Sequence, residues 1–527
     1  MNPEETKARQ TGSDIAERDG KLTQRLILPD DRYNRELVDN VHPPRWTNPT
    51  PAGRYNLVVL GAGTAGLVSA VGAALLGARV AIVEKYLMGG DCLNLGCVPS
   101  KALLRAASAA VEAREAAAFG IRARSQIDLD FAAAMERMRK VRASISRHDS
   151  AEQLVKFGAE VYFGEGKFVS PEAVEVDGRR LSFSRALIAT GARAAKPSIS
   201  GVAETGYLTN ETVFSLTALP RRLVVIGGGP LGCELAQAFR RFGSEVSIVS
   251  RGRKLLPRED DDVSALLSAR FQSEGIRLLL GVKIQRAEKR SDGKAIIVEG
   301  ESADRELIAD ELLVGVGRVP NVEGLNLDAA AVKFDDKGVK VDDRLRTTNR
   351  RIYAAGDVCS AYKFTHMADA MARIALQNAL FFGRKKASAL IIPWCTYTQP
   401  EIAHVGLYEK DARERGIDVV TFTLPLEEVD RPVIDGDEGF GRVHVERRSG
   451  RILGATLVGR HAGEMIAEMS LAISTGRTLG TISNTIHPYP TEGEIWKRLA
   501  DEWNLSRLTP RLRRLFEGYL RLRRSLG

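Results

Sequence analysis

Two copies of one strand–turn–helix pattern constrain the fold of this chain more than any other feature. In the first copy, a short apolar strand from Leu57 to Leu60 leads into Gly61, Gly63 and Gly66 in the spacing GxGxxG, and then into an apolar helix. A second strand follows and ends at Glu84. In a dinucleotide-binding βαβ unit, such glycines allow a tight turn close to the pyrophosphate, the helix N-terminus binds phosphate, and the acid binds a ribose hydroxyl. The segment therefore predicts one dinucleotide site.

The second copy predicts a second dinucleotide site, because it lies a whole domain further along the chain. Its glycines are Gly227, Gly229 and Gly232. The position equivalent to Glu84 is Ser250, and Arg251 and Arg253 follow it. Without an acid to repel a 2′-phosphate, and with arginines able to pair with it, this site predicts NADPH rather than NADH. The alternative is that the arginines are solvated.

A glycine-rich loop from Gly89 to Lys101, GGDCLNLGCVPSK, contains Cys92 and Cys97 in the spacing C-x4-C. Pro99 and an Ala/Leu-rich stretch follow, which predicts that Cys97 lies near a helix N-terminus. The helix dipole and exposed N–H groups there favour the thiolate, and two neighbouring thiols can cycle with a disulfide. The alternatives are two buried free cysteines, or half of a zinc site whose other ligands the chain does not offer at matching spacing.

The composition is that of a globular protein and excludes several classes. Five cysteines in 527 residues do not make a disulfide framework, so we expect a cytoplasmic location. We expect no signal peptide, because the first 30 residues lack an apolar run, and the uncharged run between Arg54 and Arg79 contains a glycine turn rather than a membrane span. A net charge of +9 is modest for this length, and we expect no nucleic-acid partner.

Seven motifs occur in the order GAGTAG, GGDCLNLGCVPSK, ATG, GGGPLGCE, GVGRVPN, AAGD and PTEGE. In that order they resemble the FAD-dependent pyridine nucleotide–disulfide oxidoreductases of class I, which include dihydrolipoamide dehydrogenase, glutathione reductase and mercuric reductase. The resemblance covers most of the chain. It implies FAD and NADPH (or NADH) as cofactors, a homodimer, and electron transfer from the nicotinamide through FAD and a redox-active Cys92–Cys97 disulfide to an acceptor.

The implied fold class is α/β, with two Rossmann-like dinucleotide-binding domains, for FAD and NAD(P), and an α+β C-terminal dimerisation domain. We expect residues 1–52 to form an N-terminal extension, an arm that Trp46 could anchor. The other predicted segments are the FAD-binding domain in two parts (53–200 and 321–388), the NAD(P)-binding domain (201–320), the dimerisation domain (389–505) and a basic amphipathic tail (506–527).

Residue roles follow from the matched motifs. The implied cofactor-binding residues are Gly61, Gly63, Gly66, Glu84, Lys85, Gly90, Asp91, Lys101, Thr190, Gly191, Gly227, Gly229, Gly232, Arg251, Gly317, Gly356 and Asp357. The implied catalytic residues are Cys92, Cys97, Lys101, Glu234, His487 and Tyr489, and no metal-binding residues are predicted. By the same resemblance Cys97 lies beside the flavin, Cys92 meets the substrate, and Lys101 pairs with Glu234 near the flavin. Glu234 could alternatively be a plain first-turn acid that the helix dipole stabilises.

The residue before Pro490-Thr491 bears on the acceptor. Most disulfide-reducing members have a histidine there as the acid–base group, whereas this chain has Tyr489, with His487 two residues earlier. A phenol with an ordinary pKa of about 10 is a poor base at neutral pH. Mercuric reductases similarly have tyrosine at this position, and the GDCLN, LLPRED and Asp430-Arg431 segments also resemble that branch. His487 is either a substitute acid–base group or a capping or interface residue, and by resemblance both side chains reach the cysteines of a second subunit.

Departures from the mercuric-reductase branch leave the acceptor open among a metal ion, a small disulfide and a quinone. The sequence has no N-terminal C-x-x-C metal-binding domain, and it ends in SLG rather than in a vicinal cysteine pair. The tail from Leu508 predicts a basic amphipathic helix that docks on the body or a subunit, or that binds an anionic membrane surface. A hypothesis from another class is therefore a membrane- or partner-binding subunit with a vestigial redox centre.

Overall fold

The structure of the chain is a computed structural model that describes residues 27–122, 128–299 and 306–526. It divides into two compact units. The larger unit comprises residues 1–258 and 268–389, and the smaller unit comprises residues 259–267 and 390–527. Both segments predicted for the FAD domain lie in the larger unit with most of the segment predicted for the NAD(P) domain. Residues 259–267, in contrast, belong with the segment predicted for dimerisation.

Strands and helices alternate through much of the larger unit. In chain order its strands are β1 (Arg54–Leu60), β2 (Val80–Glu84), β3 (Ala159–Phe163), β4 (Lys167–Ser170), β5 (Ala173–Val176), β6 (Arg179–Ile188), β7 (Ala192–Ala194), β8 (Arg222–Ile226), β9 (Glu245–Ser250), β10 (Arg277–Leu280), β11 (Lys283–Arg290), β12 (Gly293–Glu299), β13 (Glu306–Ala309), β14 (Glu311–Val314), β15 (Arg318–Pro320), β16 (Phe334–Asp335), β17 (Gly338–Val339) and β18 (Ile352–Ala354). Its main helices are Arg32–Val41, Thr64–Leu75, Gly90–Asn94, Cys97–Glu115, Phe131–Ser146, Ala151–Lys156, Val202–Thr205, Pro230–Phe242 and Thr365–Leu380.

The first sheet has the strand order β3-β2-β1-β6-β5-β4, with β18 also paired to β6. The pairs around β1, β2, β3, β6 and β18 are parallel, and β5 and β4 are antiparallel additions. Val58, Phe183 and Ile188 are among the buried side chains of its core. The near-continuous apolar sequence of β1 fits a parallel strand that is covered on both faces. The parallel strand–helix–strand unit predicted around the first glycine turn is confirmed.

The second sheet has the strand order β10-β9-β8-β14, and all of its pairs are parallel. The helix Pro230–Phe242 connects β8 to β9, as the second glycine pattern predicts. β11, β12 and β13 form a separate antiparallel sheet. Ile226, Val249 and Leu312 contribute to one buried cluster. The second dinucleotide-type unit is therefore also confirmed at the level of the backbone.

The polar composition of the N-terminal segment suggested an arm, but residues 27–52 include the helix Arg32–Val41. The helix begins at Asp31, whose carboxylate accepts two backbone N–H hydrogen bonds of the first turn, as expected of a good N-cap. Leu37 is fully buried. Trp46 does anchor the segment, because its indole N–H donates to the carbonyl of Val161 at 3.1 Å. Residues 1–26 of the predicted extension lie outside the described residues.

The smaller unit is an antiparallel sheet with helices, as predicted. The strand order is β19-β20-β23-β22-β21. Its strands are β19 (Pro393–Thr396), β20 (Glu401–Gly406), β21 (Val419–Pro425), β22 (Phe440–Glu446) and β23 (Ile452–Gly459). Its helices are Glu409–Glu414, Asp430–Asp435, Ala462–Ser474, Leu479–Ser483, Glu494–Ser506 and Pro510–Leu526, and Asp261–Ser273 begins in this unit. Trp496 is fully buried in the core. Among the described helices, none is both long and apolar enough to cross a bilayer.

Candidate redox and nucleotide site

The turn after β1 has no room for side chains at two glycines. Gly61 has a φ of +97°, in the left-handed region, and a Cβ there would lie 2.4 Å from the carbonyl oxygen of Ala189. A Cβ at Gly66 would lie 1.8 Å from the carbonyl oxygen of Gly61. Gly90 packs on Gly63 so closely that a Cβ on Gly90 would lie 2.7 Å from the Gly63 Cα. This bare backbone at a helix N-terminus suits the close approach of a pyrophosphate.

The turn after β8 repeats this geometry. Gly227 has a φ of +117°, and a Cβ there would lie 2.4 Å from the carbonyl oxygen of Gly315. A Cβ at Gly232 would lie 2.3 Å from the carbonyl oxygen of Gly227. Gly229 has no heavy atom within 4 Å of an added Cβ. The middle of the turn is thus open, while its two ends are closed.

Glu84, at the end of β2, ties this strand to the first glycine turn. Its carboxylate accepts a hydrogen bond from the Ala62 N–H at 2.7 Å and from the Tyr86 N–H at 2.8 Å. Burial raises the pKa of Glu84, and the backbone hydrogen bonds oppose that rise. Lys85 follows, with its Nζ 4.6 Å from the centre of the Tyr86 ring. The acid expected to contact a ribose therefore lies beside the glycine turn.

Arg318, in the GVGRVPN motif, contacts the cysteine loop, the residue after the ATG motif and the AAGD motif. It forms an ion pair with Asp91 of the cysteine loop and donates to the carbonyl of Ala192 at 2.6 Å. Its Nε also lies 3.4 Å from Oδ2 of Asp357. Burial raises the pKa of Asp357, and the charge of Arg318 opposes that rise. The sequence analysis included Gly317 but missed Arg318, although the arginine stands directly after that glycine in GVGRVPN.

The turn at Gly356 and Asp357 lies against the helix that follows the first glycine turn. Gly356 has a φ of +82°, and a Cβ there would lie 3.4 Å from the Cβ atoms of Ala65 and Ala368. The carbonyl of Asp357 accepts a hydrogen bond from Lys363 Nζ at 2.9 Å. Residues far apart in sequence thus meet at the first dinucleotide-type site.

The ATG and GVGRVPN segments bind each other. The Thr190 hydroxyl donates to the carbonyl of Asn321 at 2.7 Å, and the Asn321 side-chain amide donates to the carbonyl of Thr190 at 2.9 Å. The backbone N–H of Asn321 donates to the carbonyl of Gly191 at 3.0 Å. β7 and β15 pair antiparallel beside them, and Gly317 immediately precedes β15. The ATG and GVGRVPN motifs, far apart in sequence, therefore lie side by side in the larger unit.

The cysteine pair sits at the junction of two helices. The helix Cys97–Glu115 begins at Cys97, as predicted, and Cys92 belongs to the short helix Gly90–Asn94. Both residues are free thiols in the structure, and each thiol shifts the pKa of the other. The Cys97 Sγ also lies 3.3 Å from the hydroxyl oxygen of Thr365, which the sequence analysis missed. Thr365 is over 250 positions away, and no local pattern marks it.

The pKa values of the two thiols are shifted in opposite directions. The hydrogen bond with Cys92 lowers the pKa of Cys97, and the Thr365 hydroxyl and the Lys101 ammonium add to this effect against burial. The same hydrogen bond, together with burial, raises the pKa of Cys92. Cys97 is therefore the more acidic of the two thiols, and Cys92 holds its proton more tightly.

Lys101 and Glu234 form the ion pair that the family resemblance implies. Lys101 Nζ donates to Glu234 Oε2 at 2.8 Å, and the glutamate side chain is 4% exposed. Glu234 lies beyond the first turn of the helix Pro230–Phe242, which contains no acid in that turn. The alternative explanation, a first-turn acid held by the helix dipole, does not apply.

A second buried arginine connects the N-terminal helix to the cysteine loop. Arg142 donates to the carbonyl of Asn94 and to the side-chain oxygen of Asn34, each at 2.7 Å. The Met88 N–H donates to the carbonyl of Val41 at 3.1 Å. Burial lowers the pKa of Arg142 to about 10. The extension is therefore part of the scaffold that holds the cysteine loop.

The end of β9 carries the basic residues of the second site. Ser250 is the last residue of the strand, and its hydroxyl accepts a hydrogen bond from the Gly252 N–H at 3.1 Å. Arg251 and Arg253 are exposed. Within the part of the chain that the structure describes, neither arginine has an ion-pair partner. Both are thus available to an anionic ligand.

The two residues proposed as acid–base groups lie in the smaller unit. The Tyr489 hydroxyl donates to Asp430 Oδ2 at 2.6 Å, and the tyrosine is 70% exposed. His487 is 8% exposed in its side chain, with Nε2 3.1 Å from Glu468 Oε1 and Nδ1 3.1 Å from the carbonyl of Thr485. Both ring nitrogens of His487 are therefore engaged within its own unit, as suits a structural histidine.

Three carboxylates of the smaller unit come close together, although no metal site was predicted. Oxygen atoms of Asp435, Asp437 and Glu492 lie within 4.8 Å of one another. Each carboxylate accepts a hydrogen bond from a basic side chain, from Arg431, Arg460 and His461 respectively. These partners offset much of the negative charge, and we assign no metal to the group.

The larger unit fits FAD at the first turn. The glycines leave a cradle that a single Cβ would fill, and Glu84 stands at the strand end where a ribose is bound in such units. Residues 55–372 match the family model of the pyridine nucleotide-disulphide oxidoreductases, and residues 392–500 match the dimerisation domain of that family. The chain belongs to this family. This oxidoreductase is accordingly an α/β flavoprotein enzyme, its relatives use FAD and NAD(P)H, and the dimerisation domain fits a homodimer.

The similar proteins include mercuric reductases and dihydrolipoyl dehydrogenases. The mercuric reductase of Bacillus cereus is 36% identical over 442 residues, which cover 84% of this chain and 70% of that protein. The dihydrolipoyl dehydrogenase of Thermus scotoductus is 34% identical over 446 residues, which cover 84% of this chain and 95% of that protein. Among solved structures, the HOCl-induced flavoprotein disulfide reductase RclA of Escherichia coli has a TM-score of 0.76 at 28% identity, covering 86% of this chain and 100% of that chain.

Proposed function

We propose that this oxidoreductase passes two electrons from NADPH, through FAD and the Cys92–Cys97 pair, to a soft metal ion, in the manner of a mercuric reductase. The observation that favours a metal ion as the acceptor is the hydrogen bond from the Tyr489 hydroxyl to Asp430 at 2.6 Å. This bond and the Asp430 charge raise the pKa of Tyr489. The position where disulfide-reducing relatives have an acid–base histidine is thus held by a protonated phenol.

Proton balance explains why a metal acceptor tolerates this tyrosine. Reduction of a disulfide by NADPH consumes a proton and yields two thiols, so a group must deliver protons to the leaving thiolate. Reduction of Hg(II) by NADPH yields Hg(0) and NADP⁺ and releases one proton. A phenol that keeps its proton at neutral pH hinders the first reaction and is irrelevant to the second.

The two cysteines have separate tasks in this proposal. Cys97, whose pKa is lowered, is the thiolate that faces the flavin, and Cys92 is the thiol that meets the acceptor. FAD, when bound, supplies the chemistry that accepts a hydride and delivers electrons to sulfur. Thiolates are the ligands that soft ions prefer, so a reduced cysteine pair both binds such an ion and reduces it.

The nicotinamide cofactor and the partners complete the proposal. Exposed Arg251, next to Ser250 rather than to an acid, favours the 2′-phosphate of NADPH. The protein acts in the cytoplasm as a homodimer, and the smaller unit offers exposed apolar side chains, such as Ile486 at 94% and Leu471 at 65%, for a second copy to cover. The exposed C-terminal helix offers a further contact surface for a membrane or partner. A Cu(II) complex of RclA, with a TM-score of 0.75 at 28% identity, shows that one structural relative binds a metal ion.

The alternative acceptor is a small disulfide, as in the dihydrolipoyl dehydrogenases. The match to the Thermus scotoductus enzyme favours a disulfide acceptor, because it covers 95% of the length of that enzyme. In that case His487 would have to leave Glu468 to serve as the acid. The third possibility, a binding subunit with a vestigial redox centre, conflicts with a cysteine pair and a Lys101–Glu234 ion pair that are both intact.

A panel of acceptors tests the proposal. Purified holoenzyme is assayed for NADPH oxidation with Hg(II), oxidised glutathione, lipoamide and a quinone under one set of conditions. We expect the highest kcat/KM with Hg(II), and its loss in both Cys92→Ser and Cys97→Ser. Faster turnover with lipoamide would overturn the choice of acceptor, and negligible turnover with every acceptor would support the binding subunit.

The substitution Tyr489→His distinguishes directly between a metal ion and a disulfide as the acceptor. Because general acid–base catalysis contributes roughly 10²–10⁴-fold, the new imidazole should raise lipoamide reduction at least tenfold and leave Hg(II) reduction unchanged or lower. Tyr489→Phe is the matched control, since it removes the hydroxyl without adding a base. Equal effects of the two substitutions on lipoamide reduction would contradict the argument.

A further inference from the structure

The helix Pro510–Leu526 lies beyond the segments that match the family, which end at residue 500. All of its described side chains are exposed. The preceding helix, Glu494–Ser506, instead buries Trp496 and Leu499 in the core of the smaller unit. Both helices are amphipathic. The apolar side of Glu494–Ser506 packs against the core of the smaller unit, whereas the apolar side of Pro510–Leu526 is exposed.

The apolar side chains of this last helix recur at intervals of three and four residues, which places them on one side. They are Leu512, Leu515, Phe516, Tyr519, Leu520, Leu522 and Leu526. Leu515 is 66% exposed and Tyr519 is 56% exposed. A continuous exposed stripe of this kind marks a surface that another body covers.

The charge of the helix indicates what covers it. The helix contains one acidic residue, Glu517, and six arginines, which are Arg511, Arg513, Arg514, Arg521, Arg523 and Arg524. At a helical spacing, five of the arginines flank or oppose the apolar side. Arg523 falls among the apolar positions in the last turn, where its long side chain can extend outward. A second copy of the helix would add like charge to like charge, whereas an anionic surface complements it.

We propose that the helix Pro510–Leu526 binds the anionic surface of a lipid bilayer. It lies in the plane of the interface, with the leucines, Phe516 and Tyr519 at the boundary between headgroups and acyl chains, and with the arginines among anionic headgroups. This contact goes beyond the redox reaction and does not depend on the acceptor. It holds the oxidoreductase on a membrane surface without a spanning segment.

Co-sedimentation with vesicles tests the proposal on the full-length holoenzyme. One set of vesicles is phosphatidylcholine alone, and the other contains phosphatidylglycerol as well. We expect binding to the anionic vesicles only. We also expect it to weaken as the salt concentration rises from about 0.1 M to about 1 M, because the Debye length falls from about 10 Å to about 3 Å.

Charge-reversed and apolar-face variants locate the contact. Each basic residue near an anionic membrane contributes about fivefold to binding, so Arg514→Glu with Arg521→Glu should weaken vesicle binding by at least 25-fold. Leu515→Ser with Tyr519→Ser should weaken it while keeping the net charge. The matched control is Lys410→Glu with Arg415→Glu, an equal change of charge at exposed positions elsewhere in the smaller unit. All variants should keep bound flavin and NADPH turnover, which excludes misfolding.

Three results would overturn the proposal. The first is equal binding to neutral and anionic vesicles, and the second is a control variant that weakens binding as much as the helix variants do. The third is a truncation after Leu508 that converts a dimer to a monomer in light scattering, which would assign the helix to an interface between copies. Loss of NADPH turnover with every acceptor would refute the proposed reaction but leave vesicle binding unaffected.

Discussion

The hydroxyl of Thr365 provides the sharpest test of how the structure sets the acidity of the thiolate. It lies 3.3 Å from Cys97 Sγ, and Thr365 is the first residue of its helix rather than its N-cap, so Thr365→Val removes a hydroxyl beside the cysteine pair at nearly constant shape. A hydrogen bond to a charged group contributes about 1.5–3 kcal/mol, and one pKa unit corresponds to about 1.4 kcal/mol. Removing it should therefore raise the pKa of Cys97 by about one to two units.

The measurement is a pH titration of the holoenzyme in a Cys92→Ser background. That background leaves one titrating thiol and keeps a hydroxyl donor beside it. A thiolate next to oxidised flavin gives a long-wavelength absorbance band, which should be present above the pKa of Cys97 and disappear as the pH falls through it. The midpoint should move upward in Thr365→Val.

Thr365→Ser is the matched control because it retains the hydroxyl, and its midpoint should stay near that of the parent. The reasoning is refuted if the valine and serine variants titrate together, or if the valine variant keeps the parent midpoint. Either result would mean that the Thr365 hydroxyl does not stabilise the charge on Cys97.

Three further predictions concern the ion pair and the two glycine turns. Gly66→Ala should give a colourless protein without FAD, measured by absorbance, because its Cβ would lie 1.8 Å from the carbonyl oxygen of Gly61. Lys101→Met should lower the free energy of unfolding in urea by about 2–3 kcal/mol, since Glu234 is buried and Lys101 is partly exposed. Arg251→Glu should raise KM for NADPH about tenfold or more and leave KM for NADH unchanged, as steady-state kinetics would show.

Each of these substitutions has a control variant that makes a similar but milder change. Gly229→Ala should keep FAD, because no heavy atom lies within 4 Å of its added Cβ. Lys101→Arg should retain most of the stability, and Arg251→Lys should retain the preference for NADPH. Retained flavin in Gly66→Ala, unchanged unfolding in Lys101→Met, or equal KM effects on both nicotinamides in Arg251→Glu would each count against the structural argument.

Local sequence predicted the parts of the site that depend on neighbouring residues. The glycine spacings predicted both parallel strand–helix–strand units, because a Cβ at Gly66 or Gly232 would collide with the carbonyl oxygen of Gly61 or Gly227 in the same turn. Pro99 after Cys97 predicted the start of a helix at the second cysteine, which the structure confirms. The N-terminal segment was predicted as an arm, and the sequence analysis missed the helix that begins after Asp31 within it.

Contacts across long sequence distances could not be predicted in the same way. Arg142 joins Asn34 to Asn94, and Thr365 reaches Cys97, although no spacing or periodicity relates these positions. Nor could the sequence show that His487 has both ring nitrogens engaged.

The sequence by itself therefore determined the family and predicted the two nucleotide turns and the pair of sulfurs proposed to react, because each depends on residue types at fixed spacings within a short segment. Only the tertiary structure decided which of the two sulfurs is the more acidic. That choice depends on the hydrogen bond between Cys92 and Cys97, on Thr365, and on Lys101. Such interactions act through space over a few ångströms, and only the folded chain brings these groups together.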